Sequence, residues 1–133
     1  MGTFTVGCKI ENTVDRTRQA RLPRMLVDTG SEYTWAAATT LEKIGIAREK
    51  KDVEFVLANG QRITRSVGFA IIRVDKAFTI DEIVFAEKGD LQLLGARSLE
   101  GLSLRVDPRR KKLVAAGPLL AAVAQGTVTA VCR

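Results

Sequence analysis

The chain has 133 residues, of which 46% are hydrophobic and 27% are charged, and its formal net charge at pH 7 is +6. This composition suffices for one domain whose hydrophobic core requires neither a metal nor a disulfide. The sequence contains no histidine and only two cysteines, which excludes Ser-His-Asp and Cys-His hydrolases and the common zinc sites. It also lacks the glycine-rich loops that bind phosphates or dinucleotides, so we expect no metal and no cofactor.

The first third of the chain predicts a β-hairpin followed by a helix. Alternating apolar residues indicate that Thr3 to Glu11 pairs with Ala20 to Val27 across a polar turn. The helix is predicted from Ala36 to Ile44, because its alanines, Leu41 and Ile44 form an apolar side and Gly45 provides a stop.

The second strand of this hairpin ends in Asp28-Thr29-Gly30, a tripeptide that occurs once in the chain. The apolar residues before it would be buried in a sheet, so Asp28 would have little water around it and must be paired, hydrogen-bonded or protonated. Thr29 and Ser31 offer hydroxyl groups, and Gly30 permits a sharp turn. The tripeptide also occurs in turns without a catalytic role, so the remaining sequence must support a catalytic interpretation.

Strand patterns dominate the rest of the chain. Residues 53–74 contain two strand-like runs around Asn59-Gly60, which is the strongest short-range hairpin signal in the sequence. The elements predicted after it are a strand from Ile80 to Glu87, an apolar stretch from Leu91 to Leu94, a short helix around Arg97 to Glu100, and a last hairpin in which Leu102 to Val106 pairs with Lys112 to Ala115.

Three of these segments together resemble one protein family. Asp28-Thr29-Gly30, the hairpin around Asn59-Gly60 and the element Leu93-Leu94-Gly95 follow one another in the order and spacing of the retropepsins. These are the homodimeric aspartic proteases of retroviruses and their cellular and bacterial relatives. The resemblance covers residues 4–117 and implies a mostly β, closed barrel domain with one or two short helices. It further implies that the hairpin is the flap that closes over the substrate.

The resemblance implies an aspartic endopeptidase that hydrolyses peptide or protein substrates as a homodimer. Two Asp28 carboxyls, one from each subunit, would hold one water; because two like charges that close cannot both ionise, they would share one proton. Thr29 would lock the two loops across the dimer axis, and Gly30 would accept substrate main chain. The other residues expected to bind substrate are Ser31, Glu32, Leu57, Ala58, Asn59, Gly60, Leu93 and Leu94, with Phe55 and Ile63 as further candidates for the apolar lining.

Two features depart from the pattern of the viral retropepsins. Viral members commonly carry an arginine directly after the apolar-apolar-Gly element, where it pairs with an acidic residue two positions beyond Asp-Thr-Gly. Here Ala96 occupies the first position and the arginine follows as Arg97, which suggests a shifted pair with Glu32. The flap has only Gly60 at its tip and Gly68 further on, which predicts a stiffer or differently shaped lid.

Two other functions remain open on the sequence. One is a binding or assembly module that keeps this fold without catalysis. The other is a nucleic-acid-associated protein, because basic residues cluster between Arg16 and Arg24 and between Arg109 and Lys112. Both clusters read better as solvated hairpin turns, since no aromatic residues interleave them, and we do not expect a nucleic-acid partner.

The C-terminal segment and the cysteines complete the predictions. Residues 1–117 are assigned to the protease domain and residues 118–133 to a segment in which Thr127 to Val131 is a candidate interface strand, with a disordered tail as the alternative. The sequence shows no secretory leader and no apolar run of about 18 residues, so we expect a cytoplasmic protein that does not enter a membrane. Cys8 and Cys132 are then expected to be reduced, the alternative being a disulfide within the chain or across the dimer.

Overall fold

The computed structural model describes residues 3–122, which form a mostly β structure with two short helices. The elements are β1 Thr5–Glu11, β2 Gln19–Val27, β3 Thr34–Ala37, α1 Ala38–Lys43, β4 Lys50–Val56, β5 Arg62–Val74, β6 Ala77–Ala86, β7 Leu93–Leu94, α2 Ala96–Gly101, β8 Leu104–Asp107 and β9 Lys112–Ala115. The expected class, mostly β with short helices, is therefore confirmed.

The first seven strands belong to one sheet, in the order β1-β2-β7-β3-β6-β5-β4. Strand β1 pairs with β2 along one edge and with β5 along the other. Strands β8 and β9 form a separate two-stranded sheet. The fully buried side chains include Ile10, Met25, Ile72, Phe85 and Leu94, so strands from both ends of the chain contribute to one core.

Three predicted hairpins are confirmed: β1 with β2, β4 with β5, and β8 with β9. The turn between β4 and β5 follows its sequence signal closely. Leu57 N–H donates to Gln61 O, Gly60 N–H donates to Leu57 O, and Gly60 has a φ of +85°, which favours glycine. The turn chemistry of Asn59-Gly60 therefore fixes the register of the hairpin.

Two predicted boundaries were wrong. Ala36 and Ala37, predicted to begin the helix, instead end β3, and α1 begins at Ala38. Strand β3 pairs in parallel with β6, and this tertiary pairing outweighs the helix propensity of alanine. Strand β6 begins at Ala77 and not at Ile80, because β5 turns directly into it through Asp75 and Lys76. Asp75 adopts a φ of +52° without a glycine, so the sequence carried little signal for this turn.

Cys8 and the C-terminal residues complete the description. Cys8 is buried, and this burial raises the pKa of its thiol to about 12. Cys132 and the candidate strand Thr127 to Val131 lie outside the described residues. No helix among residues 3–122 is long and apolar enough to cross a membrane.

Gly68, which follows the tip of the β4–β5 hairpin, has a packing role. It is buried in β5, where an added Cβ would overlap Ala47 O and lie 2.9 Å from Ile46 Cγ2. We expect Gly68→Ala to lower the free energy of unfolding by about 1–3 kcal/mol, measured by chemical denaturation, because a well-packed core resists added volume.

Gly7→Ala is the matched control, because the nearest atom to an added Cβ there is 3.8 Å away. Its free energy of unfolding should stay within about 0.5 kcal/mol of the wild type. Equal losses in the two variants would contradict the packing role of Gly68.

Candidate active site

The Asp28 loop begins where β2 and β7 run side by side in parallel. Val27 pairs with Leu94, and Asp28 N–H donates to Leu94 O at 3.1 Å. Gly30 N–H then donates a hydrogen bond back to Asp28 Oδ1 at 2.9 Å. An added Cβ at Gly30 would lie 3.2 Å from the same oxygen, so a glycine suits this close turn. The half-buried Asp28 carboxylate is thus oriented by its own loop.

The start of helix α2 docks on the segment that follows this loop. Ala96 N–H donates to Ser31 O at 2.7 Å, and Arg97 N–H donates to Glu32 O at 3.1 Å. Gly95 makes this approach possible, since an added Cβ would overlap Tyr33 O. The apolar-apolar-Gly element therefore lies directly against the segment that follows the Asp-Thr-Gly loop.

A buried chain of hydrogen bonds supports the same junction from behind. Gly95 N–H donates to Thr34 Oγ1, Thr34 and Ser98 share a hydrogen bond through their hydroxyls, and Ser98 Oγ–H donates to Asp81 Oδ2 at 2.9 Å. Because a carboxylate only accepts, Ser98 must donate to Asp81, and Thr34 must therefore donate to Ser98. Sequence reasoning missed this chain, since its members come from β3, β6 and α2.

The expected pair between Arg97 and Glu32 was wrong for their side chains. The Arg97 guanidinium lies over the Tyr33 ring, with 5.0 Å between its central carbon and the ring centroid. It also lies 3.9 Å from Asp81 Oδ1 and 3.8 Å from Glu82 Oε1. Only the backbone hydrogen bond joins Arg97 to Glu32, whose exposed carboxylate forms no ion pair with the described part of the chain.

A cleft of about 650 Å³ separates the Asp28 loop from the β4–β5 hairpin. Its lining includes the predicted site residues Asp28, Gly30, Ser31, Glu32, Leu57, Ala58 and Leu93, together with Phe55 and Ile63. Asn59 and Gly60 lie at the exposed tip of the hairpin. Leu94 is fully buried in the core, so its placement in the apolar lining was wrong.

Thr29 lies apart from this cleft. Its side chain is exposed and borders a second cavity, of about 140 Å³, that is also lined by Phe4, Val106 and Lys111. Asp28 borders both cavities. The Asp-Thr-Gly loop therefore presents its aspartate to the cleft and its threonine to another face of the molecule.

An aromatic wall in the cleft was not predicted from the sequence. The Phe55 ring from β4 lies 5.0 Å from the Trp35 ring and 5.5 Å from the Tyr33 ring, measured between centroids. All three residues line the cleft. Tyr33 and Trp35 are two positions apart, which is the spacing of residues on one face of a strand. This strand signal was overlooked because a helix was predicted from residue 36.

An ion pair joins β5 of the hairpin to Asp90, which lines the cleft. Arg65 on β5 contacts Asp90 through two hydrogen bonds, of 2.7 and 2.9 Å, and Asp90 Oδ2 also accepts the Glu87 N–H. Both side chains of the pair are only 14% exposed. The hydrogen bonds from Arg65 lower the pKa of the Asp90 carboxyl below its usual value.

Comparison with known proteins agrees with this geometry. A family model described as aspartyl protease matches residues 16–97, which is more than half of the chain. The chain belongs to the aspartyl protease family. The structure is similar to the retroviral protease-like domain of Ddi1 from Leishmania major, with a TM-score of 0.54 and 14% identity over 86% of this chain and 89% of that one. The fold of this aspartyl protease family member is thus retropepsin-like, while no curated protein matches its sequence.

The Arg65–Asp90 pair predicts a pH-dependent part of the stability. Because the pKa of Asp90 is lowered in the folded state, the pair stabilises the fold above the ordinary aspartate pKa of about 4. This contribution is lost as the pH falls through the lowered pKa. We expect Asp90→Asn to lower the free energy of unfolding by about 1 kcal/mol at pH 7, with a difference from the wild type that shrinks below pH 4.

Denaturant unfolding at a series of pH values measures this difference. Asp75→Asn serves as the control, because Asp75 lies in an exposed turn whose positive φ also suits asparagine. A difference between Asp90→Asn and the wild type that is constant across the series would contradict the role given to the pair.

Proposed function

We propose that the chain is an aspartic endopeptidase that acts as a homodimer and cleaves peptide bonds in proteins or peptides. The observation that supports this most directly is the position of Asp28, which is held by its own loop at a cleft of about 650 Å³ in a retropepsin-like fold. Asp-Thr-Gly occurs once in the sequence, so the second carboxyl must come from another copy. In this proposal residues 1–117 are the protease domain and residues 118–133 an additional segment.

The chemistry requires one proton shared between the two Asp28 carboxyls. The ionised carboxyl takes a proton from water as the water oxygen attacks the peptide carbonyl carbon. The protonated carboxyl donates to the carbonyl oxygen, which gives a neutral tetrahedral intermediate. The amide nitrogen then takes the proton from the first carboxyl, while the second carboxyl takes a hydroxyl proton from the intermediate. The C–N bond breaks, the new carboxyl group forms, and the pair again holds one shared proton, with no covalent bond to the enzyme.

The second cavity marks where we place the dimer axis. Thr29 is exposed there beside Phe4 and Val106, so it is available to bond the same loop of a partner. Strands β8 and β9 pair only with each other among residues 3–122, and an isolated two-stranded sheet is marginally stable. Pairing of this hairpin with its copy would complete the sheet and bring the two Asp28 loops together.

The β4–β5 hairpin is proposed as the flap over the substrate. An extended peptide in the cleft would bond through its main chain to the Asp28 loop and to the tip at Asn59 and Gly60. Phe55, Leu57 and Leu93 would contact its apolar side chains, together with Ile63. We further propose that the pairing of β1 with both β2 and β5 closes the barrel, and that the enzyme works in the cytoplasm with Cys8 reduced.

Asp28→Asn tests the catalytic assignment. Because asparagine cannot accept and return the proton, we expect kcat/KM toward a peptide library to fall by about 10²- to 10⁴-fold, measured by mass spectrometry of the products. Asp75→Asn, a change of the same kind in an exposed turn, should keep wild-type activity. Cleavage that persists in Asp28→Asn would remove Asp28 from the mechanism, while peptide binding without cleavage in the wild type would indicate a binding module.

A mixing experiment tests whether two subunits share one site. Wild-type chain is incubated with excess Asp28→Asn, and activity is measured at constant wild-type concentration. If each site needs Asp28 from both subunits, exchange produces inactive heterodimers and the activity falls. An excess of Asp75→Asn should not reduce it. Unchanged activity after the subunits have exchanged, as shown with differently labelled chains, would contradict the shared site.

A further inference from the structure

The charged residues that line the cleft are all acidic, although the chain carries a net positive charge. The net charge is +6, yet the cleft is lined by four acidic residues and, within the described residues, by no lysine or arginine. The four are Asp28, Glu32, Glu54 and Asp90. Like-signed groups that line a concave surface attract ligands of the opposite charge.

Glu32 is the carboxylate of this set that is available to a substrate. Asp28 is the proposed catalytic residue, and Asp90 accepts two hydrogen bonds from Arg65. Glu54 lies 2.9 Å from Arg62, and both side chains are more than half exposed. Glu32 forms no ion pair with residues 3–122, because the arginine expected to neutralise it lies over Tyr33.

The backbone of Glu32 is held in a fixed position. Its carbonyl accepts the Arg97 N–H at 3.1 Å, so the residue is attached to the start of α2. It follows the Asp28 loop by two positions and precedes Tyr33, which begins the aromatic wall. An acidic group and a large apolar surface are thus adjacent within one cleft.

We propose that Glu32 makes this site selective for peptides in which a lysine or arginine lies next to a large apolar residue. The apolar side chain contacts the wall of Tyr33, Trp35 and Phe55, and the cation pairs with Glu32. This proposal rests on the function proposed above. Because Glu32 is exposed, the preference for a cation should be about two- to fivefold, the range that exposed ion pairs support.

Matched peptides measure this preference. Each set shares one sequence with a central phenylalanine and differs at one flanking position, which is lysine, glutamine or glutamate. We expect the wild type to show a kcat/KM about two- to fivefold higher for lysine than for glutamine at one flanking position, and lower for glutamate. The preference should weaken in 1 M salt, where the screening length is about 3 Å.

Variants at Glu32 assign the preference to one side chain. In Glu32→Gln the ratio for lysine over glutamine should fall to about one, and Glu32→Lys should reverse it in favour of glutamate. Glu32→Asp should retain part of it. Glu100→Gln is the control, because Glu100 is exposed on α2 and does not line the cleft, and it should keep the wild-type ratio.

Binding separates the failure of this proposal from the failure of the protease assignment. The same peptides are made with a reduced, uncleavable bond, and their dissociation constants are measured with the wild type and Glu32→Gln. Cleavage without a lysine preference, or a preference that persists in Glu32→Gln, would overturn the role of Glu32 and leave the protease intact. No cleavage, with a lysine preference in binding that Glu32→Gln removes, would overturn the protease and leave the role of Glu32.

Discussion

The parallel pairing of β2 with β7 is the constraint on which the site depends. It places Asp28 N–H against Leu94 O, and both strands leave the sheet together. The loop after β2 and the helix after β7 are then neighbours. The first N–H groups of a helix have no partners within the helix, and those of Ala96 and Arg97 are satisfied by carbonyls at Ser31 and Glu32. The helix start and the acidic loop therefore stabilise each other.

The buried hydroxyl chain explains why this junction has one geometry. Thr34 and Ser98 are fully buried, and each hydroxyl both donates and accepts within the chain from Gly95 to Asp81. A displacement of α2 would leave at least one of these groups unpaired without water, at a cost of about 1–3 kcal/mol. This chain of hydrogen bonds thus fixes the orientation of α2, which apolar packing alone would leave adjustable.

The parts of the fold that follow from local chemistry were predictable. The Asp28 loop, the turn at Gly60 and the short helix after Gly95 carry their own sequence signals. The end of strand β3 carries no such signal, because its conformation is set by its pairing with β6 and not by the helix propensity of its residues. The direction of Arg97 was missed for a similar reason, since Tyr33, Asp81 and Glu82 come together only in the folded chain. The spacing of Arg97 and Glu32 in the sequence indicated that they lie close together, but it did not determine which side chains Arg97 contacts.

The contacts of the β4–β5 hairpin indicate which part of it would move if it serves as the proposed flap. Strand β5 is held by Arg65 through Asp90, and β4 is held by Phe55 against Trp35. The tip, residues 57–61, is exposed and is closed by two backbone hydrogen bonds of its own. Movement of the tip breaks neither anchoring contact, whereas movement of the whole hairpin breaks both. In the proposed flap, opening at the tip would keep the aromatic wall and the nearby Glu32 in place while a peptide enters, so the proposed selectivity would be built into the cleft before it closes.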